Sequence, residues 1–130
     1  MSKVKEVVAF LHGKPFIVAT IENDKPKQRP FGAIAEFENK IYISTAKTRK
    51  GETNTRAVYT QIMNNPNISI CACGDNRKWV RVDGLLVKDD RQVAKQKMLD
   101  DNPILSKHFS SANDSAFEIF YIDNAIIELH

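Results

Sequence analysis

An antiparallel β-barrel or sandwich with helices packed outside it is the fold class this sequence predicts. Three observations carry that expectation. The apolar stretches are short, about the length of single strands. Turn residues such as Asn23-Asp24, Glu38-Asn39 and Asp75-Asn76 separate them. Most connections are shorter than the crossover a parallel pair needs. The count comes to about seven strands and three helices in one domain, residues 1–130, and 42% hydrophobic residues suffice for a packed core.

The elements read in order. VKEVVAFLHG is a helix, with Val4, Val7, Val8 and Leu11 at helical spacing and Gly13 behind them as a C-terminal cap. FIVATIEN is a buried strand, and ENDKP is a turn. RPFGAIAEF alternates as a second strand with Phe31, Ala33, Ala35 and Phe37 on one face, and KIYIST is a third beyond the tight turn ENK. These three are expected to form a meander. A helix beginning near Asn54 follows, with Thr55, Val58 and Ile62 on one side, Asn54 or Thr55 as its cap, and NNPN as its stop. NISICAC is a strand, GDNRK a turn, and WVRVDGLLVK a long strand with a bulge at Gly84. DDRQVAKQKML is a helix capped by Asp89 or Asp90, and FEIFYI and AIIEL are two last strands around an Asp-Asn turn.

Composition narrows the function classes. The net charge of +3 permits an anionic ligand but falls short of the basic face that nucleic acid demands. No apolar run approaches a membrane span and no signal peptide opens the chain, so a cytoplasmic protein with no membrane partner is expected. Cys71 and Cys73 share one face of a strand at a spacing wrong for a zinc knuckle, and are expected to be buried thiols. His12, His108 and His130 lie far apart, so no metal site is expected.

Three stretches carry candidate chemistry. STAKTRKGETNTRAVYTQI holds Lys47, Arg49, Lys50 and Arg56. A helix start near Asn54 presents free backbone N–H groups and the positive end of its dipole, with the Thr55 hydroxyl and the Arg56 fork beside them. A phosphate would be held well there, although the same residues also read as a solvated loop with an ordinary cap. In KPKQRPFGAI, Arg29 stands before Pro30. If its strand pairs with KIYIST around ENK, Arg29 comes near Ser44 and Thr45; alone it reads as a surface arginine. In KWVRVDG, Trp79, Arg81 and Asp83 share one face. That row could line a planar ligand, form a cation–π and salt-bridge ladder, or be half of a dimer contact.

Taken together, ATIENDKPKQRPFG, IYIST, NTRAVYTQIMNNPNISICACG, KWVRVDGLLVKDDRQVAKQKML and FEIFYIDNAIIEL resemble, in order and spacing, the pyridoxamine 5′-phosphate oxidase-like family of FMN-binding split barrels. The resemblance implies a six- to seven-stranded antiparallel Greek-key split barrel with about three short outer helices. It implies a homodimer with FMN at the interface. It also implies an oxidoreductase passing hydride or electrons between a reduced nucleotide or small molecule and FMN. By the same resemblance the phosphate is held by Arg29, with Pro30 and Phe31 beside it, by Ser44 and Thr45, and by Thr55-Arg56 preceded by Asn54. Gln61 falls near the flavin, and Trp79 and Arg81 fall near the interface.

The chain departs from this family at one place. Removing Lys47–Thr53 leaves STANTRAVYTQI, an ordinary family segment, so those residues read as an insertion that covers the flavin or meets an anionic partner. Thr48, Arg49 and Lys50 are the alternative phosphate residues; Thr55-Arg56 is preferred because it keeps the expected distance to Gln61. The chain ends in AIIELH, without the substrate-phosphate motif of true pyridoxamine phosphate oxidases, so vitamin B6 oxidation is not expected. No catalytic residue stands out, and the substrate and electron donor stay open. The alternatives are a flavin-binding or flavin-sensing module without turnover and, more weakly, a barrel stacking single-stranded nucleic acid on Trp79, Phe31 and Tyr42. Only 8% of residues are aromatic, which disfavours the last.

Overall fold

Helix α1 (Lys3–Leu11) opens the computed structural model, which describes residues 2–49 and 51–130. The Ser2 side chain accepts from the Lys5 N–H at its start, and Gly13 follows its end at φ +80°, where other residues are strained. Strands β1 (Phe16–Glu22) and β2 (Lys25–Phe31) form a hairpin. Its two turn residues, Asn23 and Asp24, both have positive φ, the geometry that matches strand twist. Strand β1 is buried on one face only: Phe16, Val18 and Thr20 point inward, while Ile17 is 38% exposed.

The expected strand RPFGAIAEF is two strands. β2 ends at Phe31, and β3 (Ile34–Phe37) begins after Gly32-Ala33 and pairs with β4 (Lys40–Ala46) around Glu38-Asn39. The alternation of apolar residues runs unbroken through Gly32, which hid the break. There is consequently no three-strand meander. The single sheet runs β2-β1-β5-β6-β7-β4-β3, with β5 (Asn67–Cys73), β6 (Trp79–Asp89) and β7 (Phe117–Leu129) at its centre. β2 and β3 stand at opposite ends of that order, yet only two residues separate them along the chain. Two residues span less than about 10 Å, so the sheet has to curl until its edges approach. Pro26 and Pro30 both fall on β2, an edge strand, where a missing N–H costs no ladder bond. Every strand pair is antiparallel, and the architecture is a split barrel.

Three further boundaries differ from expectation. Helix α2 (Ala57–Asn64) starts later than Asn54, and its cap position is Arg56, without a side-chain cap bond. The reason lies upstream: Thr48 bridges Thr55, and the Arg56 N–H donates to the Lys47 carbonyl at 2.8 Å, which ties Thr55 and Arg56 back to the end of β4. Helix α3 (Gln92–Asp101) likewise starts after Asp89 and Asp90. Asp89 stays in β6, where its carboxylate accepts from the Tyr42 hydroxyl at 2.7 Å and from Arg91. Finally, β7 is one strand of 13 residues, and Asp123-Asn124 is not a turn. Its irregularity, Asn124 at φ +54°, lies where the β6–β7 register slips around Gly84. A Cβ on Gly84 would stand 2.5 Å from Ile122 Cγ2, so only glycine fits this crossing.

Two apolar cores result. One fills the barrel and its ends, joining Leu11, Phe16, Val18, Ile43, Ile62, Ile70 and Phe120. The other packs α3 and the 3-10 segment Pro103–Lys107 on the outer face of β3, β4 and β7, through Met98, Leu105, Phe109, Phe117 and Ile119. Cys71 and Cys73 belong to neither: both are exposed, contrary to expectation, because Ile70 and Ala72 take the inward positions of β5.

Candidate functional site

A cleft of about 1200 Å³ opens where the end of β2, the end of β4, the loop before α2 and the segment 103–116 meet. Arg29 organises its floor. Its Nη1 donates to the Val18 carbonyl (3.1 Å) and Thr20 Oγ1 (2.7 Å), and its Nη2 donates to Gln61 Oε1 (2.7 Å). Thr20 passes its own hydroxyl proton to the same Gln61 oxygen. Gln61 Nε2 donates to Glu22 Oε2 at 2.8 Å, which fixes which end of the amide faces Arg29. The arginine is therefore held in one pose by β1 and α2. Three of its five N–H donors are used, and two stay free for a ligand among the described residues.

Arg56 lines the same cleft. Burial, first, and the Arg56 charge, second, pull the Arg29 pKa below its ordinary value, while Glu22 opposes them. Two guanidinium groups close enough to feel each other, with no ion pair to either among the described residues, are relieved by an anion. Phosphate suits them, because each fork presents parallel N–H donors. Among the described residues no group of His, Cys, Asp and Glu could hold a metal.

The structure brings together on this cleft Arg29, Pro30, Phe31, Ser44, Thr45 and Arg56. The route differs from the expected one. Arg29 pairs with Val18 on β1, and β2 is not a neighbour of β4; the curl at Gly32-Ala33 carries Arg29 round to Ser44 and Thr45. Asn54 and Thr55 are exposed and do not line the cleft. Gln61 is buried behind Arg29 as its support. Trp79 and Arg81 lie elsewhere, on the outward face of β6. There Trp79 stacks on His130 with centroids 4.2 Å apart, and Arg81 sits over Trp79 and bonds Glu128 at 2.9 Å. That is the cation–π and salt-bridge ladder, one of the three readings of this row. Of the insertion, Thr48, Arg49, Gly51 and Glu52 line the cleft; Lys50 lies outside the described residues.

The opposite wall went unread in the sequence. It consists of the 3-10 segment and the loop to Ala116, joined by Lys14 and Pro15 after α1. Asn102 anchors this wall, giving Nδ2 to the Ile34 carbonyl at 2.9 Å and accepting the Ile34 N–H. Asp114 closes the loop by accepting the N–H groups of Ser110 and Ala116. DNPILSKHFSSANDSA has neither helical nor strand period, and Asn102-Pro103 was its one structural signal.

Known structures place this fold. A NimC/NimA family protein from Clostridium acetobutylicum is 30% identical over 97% of this chain and 83% of its own, with a TM-score of 0.85. General Stress Protein 26 from Bacillus anthracis is 20% identical over 98% and 94%, with a TM-score of 0.74. A pyridoxamine 5′-phosphate oxidase-related, FMN binding protein from Nostoc punctiforme is 16% identical over 99% and 84%, with a TM-score of 0.69. No model of a protein family matches the chain, and no curated protein does. With a relative at 30% identity over most of both chains, the chain belongs to the pyridoxamine 5′-phosphate oxidase-like split-barrel family. Within that family it is similar to the NimC/NimA protein. Among the described residues no helix is long and apolar enough to cross a membrane.

Proposed function

We propose that this chain is a flavin-binding protein, that the flavin is FMN, and that it works as an FMN-dependent oxidoreductase. One observation carries the reading: Arg29, locked by Thr20 and Gln61 with two donors to spare, shares a cleft with the unpaired charge of Arg56. In this reading Arg29 and Arg56 hold the phosphate, and the Ser44 and Thr45 stretch borders it. The residues fit that group in charge, donor number and position. The family membership and the FMN named for the Nostoc relative support the choice of cofactor. A bound flavin supplies the hydride or electron transfer, and the protein's share is to hold, orient and screen it.

The active form is a homodimer. The outward face around β6 supports this, since Ile17 on β1, in the row of Cys71 and Arg81, and Ile126 on β7, opposite Asp83, are 38% and 65% exposed on it. Trp79 and Arg81 border that face and enter the site only through a second copy.

Titrations with FMN and with riboflavin test the cradle. The two ligands differ only in the phosphate. FMN binds the wild type at least about tenfold more tightly, and the gap closes in Arg29→Ala, Arg56→Ala. Equal affinity for both ligands in the wild type refutes the phosphate assignment.

A further inference from the structure

The inserted segment begins and ends on the residues that border the cradle, and Lys47 is its base. The Lys47 carbonyl accepts the Arg56 N–H at 2.8 Å, and the Lys47 N–H donates to the Ala116 carbonyl at 2.7 Å. Ala116 lines the cleft from the opposite wall. One residue therefore joins the end of β4, Arg56 and the far wall, and the two walls meet at that end of the cleft. Beyond the base, Thr48 bridges Thr55, and the Glu52 N–H donates to the Arg49 carbonyl at 2.9 Å. From these bonded positions Thr48, Arg49, Gly51 and Glu52 line the cleft as a built barrier.

Chain connectivity sets which side of a bound phosphate the barrier occupies. Arg56 directly follows Thr55, at the foot of the barrier. Arg29 lies two residues before Phe31, which with Ile104 and Phe109 supplies apolar lining to the cleft. The barrier adds no apolar side chain to that lining. An anion held between Arg29 and Arg56 thus has apolar surface on one side and the barrier on the other. A flat apolar ring takes the first side. A phosphate monoester ends at the cradle and asks nothing more of the barrier. A diphosphate continues from the same phosphorus, through a bridging oxygen, to a second phosphoryl group and a nucleoside. That continuation runs into the barrier. Arg49 and Glu52 stand there with opposite charges, so the obstacle is steric: main chain that moves aside only by breaking the Thr48–Thr55 bridge.

We infer that Thr48, Arg49, Gly51 and Glu52 determine specificity at the cradle, admitting a flavin that ends in a phosphate monoester and excluding one that continues as a diphosphate to a nucleoside. This rests on the flavin reading, which puts the cofactor's phosphate at Arg29 and Arg56. It adds the element that chooses between FMN and FAD, and it gives the insertion a task.

FMN and FAD are the probes, titrated calorimetrically into the wild type and into a variant whose residues 49–54 are replaced by Gly-Gly. Two glycines close an antiparallel pair, so the Thr48–Thr55 bridge and the Lys47–Arg56 bond are kept. Residues 49 and 51–54 are exposed and belong to neither core, so the variant folds. The wild type is expected to bind FMN at least about tenfold more tightly than FAD. The Gly-Gly variant is expected to bind FAD about tenfold more tightly than the wild type does, with FMN affinity changed less than about threefold. Glu52→Gln is expected to leave the preference within about threefold of the wild type, since the barrier is main chain. Three results overturn the inference: a wild type that takes FAD as tightly as FMN, a Gly-Gly variant that binds FMN with its preference unchanged, or a Glu52→Gln protein as open to FAD as the Gly-Gly variant. The first needs no variant, and all three leave the flavin reading standing. A wild type that binds neither flavin removes that reading and this inference with it.

Discussion

Gln61→Leu probes the support beneath Arg29. Gln61 is 7% exposed and makes three side-chain bonds: it accepts from Thr20 and Arg29 and donates to Glu22. Leucine keeps roughly the volume and removes all three. Thr20, 1% exposed, loses the acceptor for its hydroxyl proton, and Arg29 loses the acceptor for Nη2. Each unsatisfied buried group costs about 1–3 kcal/mol, while the Glu22 carboxylate at the strand end returns to water cheaply. Arg29 is part-exposed, so its share lies at the low end. The sum is about 2–4 kcal/mol, or a fall of roughly 6–16 °C in melting temperature for a chain of this size. Gln61→Glu keeps an acceptor for Thr20 and Arg29 but sets a second carboxylate against Glu22, a repulsion that the Arg29 charge offsets only in part, so it should hold Arg29 in place and still lower the melting temperature. Thermal unfolding by circular dichroism measures both variants, and FMN titration should show Gln61→Leu weakened because Arg29 is no longer held. A Gln61→Leu protein within about 2 °C of the wild type would refute the idea that this amide locks the arginine.

Other outcomes follow from the same geometry. The Arg91 guanidinium chiefly, with the Tyr42 hydroxyl, outweighs burial and holds Asp89 at a pKa of about 2, against 3.8 for the free side chain. A depressed carboxylate stabilises the fold above its unfolded pKa, so about 2 kcal/mol is present near neutrality and fades as pH falls from about 5 to about 2. Denaturant titrations of the wild type and Asp89→Asn should differ at pH 7 and converge toward pH 2; a constant gap contradicts the assignment. Gly84→Ala drives a methyl to within 2.8 Å of the Asp123 carbonyl and should cost about 1–3 kcal/mol, visible as a lower denaturant midpoint. Anaerobic addition of NADH or NADPH to FMN-loaded protein should bleach the flavin bands; bands that persist with both donors favour binding without turnover. Sedimentation with FMN present should return a dimer at micromolar concentration, and a monomer would count against the shared site.

Much of the fold was legible because its signals are local. Asn23-Asp24 and Glu38-Asn39 announce tight hairpins, and both form. Gly84 marks an irregular crossing, and the register slips there. What the sequence concealed were features set by distant partners. Nothing in RPFGAIAEF reports that the sheet closes on itself at Gly32-Ala33, because the alternation continues across the break. Asp123-Asn124 looks like a turn, but pairing with β6 on both sides carries the strand through it. Asn54 and Thr55 look like caps, but the bond from Arg56 to Lys47 delays the helix. In the cleft, Arg29 and Arg56 were visible as charges beside strand and helix ends. The Thr20–Gln61–Glu22 support was not, since its members lie up to 41 residues apart. The wall from Pro103 to Ala116 was hidden for the opposite reason: it has no period to read.

The most direct test of the central claim is an absorbance spectrum of the purified protein, mixed with FMN and freed of excess by gel filtration. The account predicts flavin bands that elute with the wild-type protein and are largely lost in Arg29→Ala, Arg56→Ala. A wild-type protein that emerges colourless, or a double variant that retains the bands undiminished, would contradict it.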